Sequence, residues 1–316
     1  VLQNTCCKRA YIRGAFQAAG SMSDPEKNYH FEVVSTNVQT AEQLKELGIE
    51  VSIAPVDKRG FVRVDELKEL IRKETVLVSV MAVNNEVGSI QPIQEISDLL
   101  DDFPKIHFHV DAVQAIGKVP FSQWLTERVD FATFSAHKFH GPRGTGFIYW
   151  KKGRRLAPLL TGGGQERNQR SGTENVPGIV AMAKALRLSL EIKEQKPEQT
   201  QRLKVALINA LKTYEKVTIF SEGTDYAPHI LCFALKGIRG EVLVHALEEK
   251  QIFVSTTSAC SSRKHMASST LHAMHVPNDL ATSAVRISLD ENNSLAEVEQ
   301  FMIIFKQLYK KFSAIN

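Results

Sequence analysis

The sequence predicts an α/β protein: a mostly parallel sheet flanked by helices, with a smaller α+β unit at the C-terminal end. Three observations carry that expectation. Segments of strand and helix character alternate through the first half, the order that crossover-connected parallel strands produce. Val76-Leu77-Val78-Ser79-Val80-Met81 is almost continuously apolar, as a strand covered on both faces must be. Polar or glycine-rich loops follow several strands, and open parallel sheets hold their ligands at those carboxyl ends.

In chain order, Tyr11 to Ala19 reads as a helix, His30 to Ser35 as a strand, and Ala41 to Leu47 as a helix that Gly48 stops. Glu50 to Ala54 reads as a short strand and Asp57-Lys58-Arg59-Gly60 as a turn. Asp65 is expected to cap a helix over Glu66–Arg72. After the buried strand come a helix at Ile93–Leu100 and strands at Ile106–Val110, Phe131–Phe134 and Gly146–Trp150. A helix from Val176 to about Lys193 ends before Pro197. It separates an expected large domain, 1–195, from a small one, 196–316. The small domain reads as helix Gln199–Tyr214, strand Ile230–Ala234, helix Glu241–Glu249, strands Ile252–Ser255 and Val285–Leu289, and closing helix Leu295–Phe312.

Composition narrows the function. The 316 residues, 43% hydrophobic and 23% charged, suffice for a large core. Lys and Arg exceed Asp and Glu by 39 to 35, a formal charge of +4. With no dense basic stripe, that excess predicts no nucleic-acid partner. No apolar run reaches 18 residues, so no membrane partner is expected. The opening Val1-Leu2-Gln3-Asn4-Thr5-Cys6-Cys7-Lys8-Arg9 lacks the charged-then-apolar order of a signal peptide. The four cysteines, Cys6, Cys7, Cys232 and Cys260, form no metal-finger spacing. Free thiols in a reducing cytoplasm are the expectation, and no metal site is predicted.

Two segments carry chemistry. In Phe134-Ser135-Ala136-His137-Lys138-Phe139-His140-Gly141-Pro142-Arg143-Gly144-Thr145-Gly146, a lysine follows a strand and precedes a glycine-rich loop. A lysine that forms a Schiff base must lose its proton, which desolvation and a nearby cation favour. Ser135 and His137 are placed to hydrogen-bond a phosphate, and the glycines permit close backbone approach to a ligand. The alternative is a surface lysine in a Gly-Pro turn. In Val110-Asp111-Ala112-Val113-Gln114, a carboxylate ends an apolar strand. Such a group can keep a pyridinium nitrogen protonated, the pairing that makes pyridoxal 5'-phosphate (PLP) an electron sink, with Gln114 reaching the ring oxygen. The alternative for Asp111 is a helix cap after a strand.

His-x-Asp-Ala-x-Gln at 109–114, Ser-Ala-His-Lys-x-x-Gly-Pro-x-Gly-x-Gly at 135–146, Gly-Gly-Gly-Gln-Glu at 162–166 and Arg-Ser-Gly-Thr-Glu-Asn at 170–175 occur in that order. Together they resemble the cysteine desulfurases, in the class V aminotransferase group of fold type I PLP enzymes, over about Ile49 to the C-terminus. The resemblance implies PLP as cofactor, Lys138 as its anchor, Asp111 on the ring nitrogen, Gln114 on the ring oxygen, and Ser135 and His137 on the phosphate. It implies a homodimer in which Thr173 contacts the phosphate in the neighbouring subunit's site. It places Asn85 beside substrate and cofactor and Arg286 on the substrate carboxylate, whose planar fork suits Arg. Read alone, Asn84-Asn85 is a turn and Arg286 a structural ion pair.

Cys260, in Ser258-Ala259-Cys260-Ser261-Ser262-Arg263-Lys264-His265, lies among small polar residues, with basic neighbours that favour the thiolate. Cys232, in Ile230-Leu231-Cys232-Phe233, reads instead as a buried small hydrophobe. The resemblance makes Cys260 the acceptor of sulfur from L-cysteine, with L-alanine as product and a persulfide passed to an acceptor protein. That acceptor is left open, iron–sulfur cluster assembly being one destination. The N-terminal part departs from the family pattern. The Asp-Asn-Ala-Thr-Thr-like strand, the Gly-Asn-Pro segment and the Thr-Glu-x-Asn-Asn phosphate loop are not present whole. The ring-stacking His is absent too, and His30 does not replace it. These departures predict weaker PLP binding and slower proton transfer. Two other readings stay open: a selenocysteine or cystine lyase on the same scaffold, and an impaired remnant that only binds sulfur-transfer partners.

Overall fold

A computed structural model describes residues 32–35, 45, 48–196, 198–257 and 268–314, the side chains of 32–35 excepted. The described residues form two compact units. One lies within Val1–Pro55, Val62–Ala82 and Gln91–Ser189, the other within Val56–Phe61, Val83–Ile90 and Leu190–Asn316. The second unit therefore includes two short segments drawn from the first half of the chain.

The large unit runs β1 (Glu32–Ser35), β2 (Glu50–Ser52), α1 (Val64–Leu70), β3 (Thr75–Met81), α2 (Ile93–Asp101), β4 (His107–Asp111), β5 (Phe131–Ser135), β6 (Gly146–Trp150), α3 (Gln165–Asn168) and α4 (Val176–Gln195). The last turn of α4 passes into the small unit. The sheet order is β2-β1-β3-β4-β5-β6. The first five strands are parallel, and β6 pairs antiparallel with β5. Burial follows from the apolar runs: Leu77, Val78 and Val80 of β3 and Phe108 and Val110 of β4 have at most 1% exposure. Helix α2 seals them with Ile93, Ile96 and Leu100, spaced so that one stripe faces inward.

At the end of β5 away from the site, Asp130 has no exposed side-chain surface. It accepts bonds from Arg128 Nη1 (2.9 Å), Arg154 Nε (2.7 Å) and the Phe108 amide (3.0 Å), and so ties β4, β5 and the chain after β6 together.

Two expectations are corrected. Helix α1 starts at Val64 with Arg63 as its cap residue, and no side chain caps it. Asp65 sits inside the first turn, where with Glu66 it complements the helix dipole. Arg63 pairs with Glu66 at 2.6 Å and with Asp65 at 3.4 Å across that turn. The strand expected over Ile252–Ser255 is only Ser255–Thr256. The Ile252 amide instead bonds Leu247 O at 3.0 Å, and Ile252 and Val254 pack on the apolar core rather than joining a ladder. The readings over Tyr11–Ala19 and Ala41–Leu47 lie outside the described residues, apart from Lys45.

The small unit runs α5 (Gln199–Leu211), β7 (Val217–Ile219), β8 (Ile230–Leu235), α6 (Gly240–Glu248), β9 (Ser255–Thr256), α7 (Ser269–Ala273), α8 (Asn278–Ala281), β10 (Ala284–Ser288) and α9 (Leu295–Ser313). Its antiparallel sheet has the order β7-β8-β10-β9. Every residue of β8 is buried, Cys232 fully, as its apolar context predicts. Leu203, Leu207, Leu243, Phe301 and Phe305 cover one face of that sheet. Ser294 and Glu297 form a reciprocal capping box that starts α9. No helix among the described residues is long and apolar enough to cross a membrane.

Candidate active site

In the large unit, Asp111 and Ser135 close neighbouring parallel strands. Asp111 pairs with Met81 on one side and Thr133 on the other, which places it at the carboxyl edge of the sheet. Its Oδ1 accepts the Val113 amide at 3.0 Å, so Asp111 does form the local turn that its position after a strand suggests. Among the described residues no donor reaches Oδ2. Burial raises the carboxyl above its ordinary range, while the Val113 amide and the Lys138 charge draw it back. Lys138 is thus within electrostatic reach of Asp111. Gln114 is half-buried in the turn that follows.

Ser135 is half-buried and its side chain caps nothing. It begins a 3-10 turn, Ala136–Phe139, that presents His137 and Lys138 outward and anchors itself with Phe139, which is fully buried. His140 then takes a left-handed conformation, φ 65°. Two glycines of this loop are required by packing within the chain itself. A Cβ on Gly146 would lie 2.4 Å from Phe134 O, and one on Gly141 would lie 2.8 Å from Ala136 Cβ. They let the loop approach its own strand and so set where the lysine emerges.

Beneath Asp111 on the same strand face lies His109, a residue to which the sequence reading attached no role. Its Nδ1 is 2.7 Å from Ser79 Oγ on β3, and its Nε2 is 3.0 Å from Thr133 Oγ1 on β5. Burial lowers its pKa to about 4, so the ring is neutral. The period of two from Asp111 was the available signal; its hydroxyl partners were not readable.

Thr173 is exposed and lines a cavity of about 680 Å³ with Phe134, Thr145, Arg170, Asn175 and Met182, among others. Asp111, Gln114, Ser135, His137 and Lys138 do not line it.

In the small unit, Asn85 and Arg286 come together across 201 positions: Arg286 Nη1 donates to Asn85 O at 2.7 Å. Among the described residues, Arg286 Nε is buried with no hydrogen-bond partner, and the Arg286 charge acts on Glu86. Asn84 Oδ1 accepts the amides of Glu86 (2.8 Å) and Val87 (2.9 Å), which makes the turn that the dipeptide suggests. Glu86, another residue missed in sequence, accepts hydroxyls from Ser268 and, at 3.0 Å, Thr270. Burial raises its carboxyl, opposed by those hydroxyls and by Arg286. Cys260 lies outside the described residues, and so does His30.

A mostly parallel sheet flanked by helices, with a smaller α+β unit, is the architecture of the fold type I class. The family model for aminotransferase class-V matches residues 30–301, and the chain belongs to that family. It is 53% identical over 278 residues to a NifS/IcsS protein homolog of Lactobacillus delbrueckii subsp. bulgaricus, covering 88% of this chain and 72% of that relative. It is 37% identical to the cysteine desulfurase IscS of Dictyoglomus turgidum, covering 86% of this chain and 69% of the relative. A solved NifS-like protein superposes with a TM-score of 0.80 at 38% identity, over 91% of this chain and 76% of that one.

Proposed function

We propose that the chain is a cysteine desulfurase: it takes sulfur from L-cysteine, releases L-alanine, and carries the sulfur as a persulfide on Cys260 for an acceptor protein. The observation that carries the reading is that Asp111, at the end of β4, stands within reach of the charge of Lys138, in the turn after β5. The residues suit PLP. A half-buried carboxylate with one oxygen unengaged among the described residues matches a ring-nitrogen proton, and a lysine stands in its field. Gln114 follows Asp111 closely enough to serve the same ring edge, and Ser135 and His137 flank Lys138 with groups that hold a phosphate. When bound, PLP supplies a sink for the electrons of the substrate carbon.

The chain's own residues account for the rest. Arg286, steadied through Nη1 by Asn85 O, binds the substrate carboxylate and orients the amino acid. The Lys138 amine holds the cofactor and moves the proton on the substrate Cα. The Cys260 thiolate forms an S–S bond with the substrate sulfur as the Cβ–S bond breaks. Carbon keeps that bond's electron pair and takes up a proton to complete alanine. Cysteine and thiol thereby become alanine and persulfide with no outside oxidant.

A homodimer is part of the proposal. Helix α4 buries only Gly178, Met182 and Ser189 while Val176 and Val180 are 58% and 62% exposed. Ile179, Leu188 and Leu160 extend that apolar surface, and a second copy of the chain would cover it. Thr173, on the segment leading into α4, would then serve the neighbouring copy's phosphate.

Incubation with PLP and L-cysteine, followed by assay of alanine and of persulfide by mass spectrometry, tests the reading. Cys260→Ala should lower alanine formation by on the order of a hundredfold or more and abolish persulfide. Its cofactor absorbance should stay unchanged. Alanine formed at full rate without Cys260 would favour the lyase alternative, because direct elimination needs no acceptor thiol.

A further inference from the structure

Ser221, in the small unit, is fully buried, and a buried hydroxyl costs free energy unless its donor and acceptor sides are both used. Both are. Its Oγ donates to Val87 O at 2.6 Å and accepts the Cys232 amide at 2.8 Å. The acceptor bond has a local cause. β7 ends at Ile219, opposite Phe233 of β8, and the Phe220 amide then bonds Cys232 O at 2.9 Å. The Ser221 side chain takes the Cys232 amide in place of a ladder partner. The donor bond reaches back 134 positions, to the turn over 84–88. In that turn Asn84 Oδ1 accepts the Glu86 and Val87 amides, and Asn84 O accepts the Gly88 amide at 3.0 Å. The turn presents Asn85 O, which receives Arg286 Nη1. Arg286 stands directly opposite Cys232 in the pairing of β10 with β8. One hydroxyl therefore closes a ring. It runs from Arg286 across the sheet to Cys232, through Ser221 to Val87, and through the turn back to the carbonyl that steadies the guanidinium. The later residues of the turn have their own moorings. The Ala227 amide bonds Gly88 O at 2.7 Å, the Ile90 amide bonds Asp225 O at 3.0 Å, and a Cβ on Gly88 would lie 3.0 Å from Ile230 Cβ.

We propose that Ser221 is a positioning residue for substrate recognition. Its hydroxyl sets the spacing between the Asn85 carbonyl and Arg286, and thereby the aim of the guanidinium at the substrate carboxylate. The proposal rests on the role that the desulfurase reading gives to Arg286. It predicts that loss of the hydroxyl acts on ligands that carry a carboxylate and spares those that do not.

The full chain with PLP is titrated by cofactor absorbance with L-alanine and with ethylamine, its counterpart without the carboxylate. Steady-state kcat and KM for L-cysteine are measured alongside. Ser221→Ala leaves an amide and a carbonyl unpaired beside the turn, and should weaken L-alanine binding and raise KM about fivefold or more. The ethylamine titration and kcat should stay within about twofold. Ser221→Cys, with a weaker donor and acceptor on a side chain of similar size, should fall between, and serves if Ser221→Ala does not fold. Equal losses for L-alanine and ethylamine, a loss in kcat alone, or unchanged binding of both would overturn the proposal. A parent chain that makes no alanine from L-cysteine would defeat the desulfurase reading instead. The link is then judged by amide hydrogen exchange over residues 84–90, which Ser221→Ala should speed several-fold. Unchanged exchange there refutes it.

Discussion

His109 is held between two hydroxyls, Ser79 at Nδ1 and Thr133 at Nε2. A neutral imidazole needs one donor and one acceptor, and hydroxyls can turn to supply either. An imidazolium would donate at both nitrogens and carry a charge with no counter-ion at hydrogen-bonding distance among the described residues. Burial therefore pushes the pKa down to about 4. The sign for stability follows. The unfolded ring protonates near the ordinary histidine value of about 6.5 and the folded ring near 4, so between these limits the unfolded state holds more protons. The contribution of His109 is whole above about pH 6.5 and is lost as pH falls through 4. Its NMR ring signals should not titrate above about pH 5. His109→Phe, which orphans both hydroxyls, should cost about 1–3 kcal/mol in urea denaturation. A midpoint near 6.5 would show that the ring is not confined as described. Because His109 lies under Asp111, keeping it uncharged also leaves Lys138 as the cation that acts on that carboxyl.

At the scale of elements, β5 carries opposite tasks at its two ends: Ser135 opens the lysine turn, and Asp130 knots the sheet. Burial alone would raise the Asp130 carboxyl. Nearby His107, the Phe108 amide and Arg154 outweigh it and bring the pKa to about 2. With the unfolded carboxyl near 3.8, this contribution is present above that pH and is lost as pH falls through about 2. Asp130→Asn should therefore cost on the order of 3 kcal/mol at pH 7, because two guanidiniums lose a buried partner, and the deficit should vanish toward pH 2. Chemical denaturation of both proteins from pH 7 to pH 2 gives the comparison. A constant deficit at all pH values would mean that shape and not charge matters at this site. The parallel strands themselves were legible in sequence, since the apolar runs at Val76–Met81 and Phe131–Phe134 can satisfy burial in few other ways. The short elements, β7, α7 and α8, were not legible. Pieces of three to five residues make too few periodic contacts to leave a pattern, and tertiary packing holds them.

For the molecule as a whole, assembly is the open consequence. Helix α4 buries too little of its apolar surface to be a finished element, and Thr173 lines a cavity that Lys138 does not line. Ile179→Lys with Val180→Lys should convert a dimer to a monomer in sedimentation and reduce cofactor retention, with the far-ultraviolet spectrum of the fold retained. A parent chain that sediments as a monomer at micromolar concentration would remove the dimer from the proposal. Sequence by itself determined the α/β class, the lysine after a strand, the carboxylate at the neighbouring strand end and the buried character of Cys232. Each is a local pattern, set by side-chain period or by residues within one turn. Only the tertiary structure decided that Arg286 leans on Asn85, that Glu86 grips Ser268 and Thr270, and that His109 stays neutral. Those pairings join residues 201, 182 and 30 positions apart, and no local rule of spacing links groups that meet only when the chain folds.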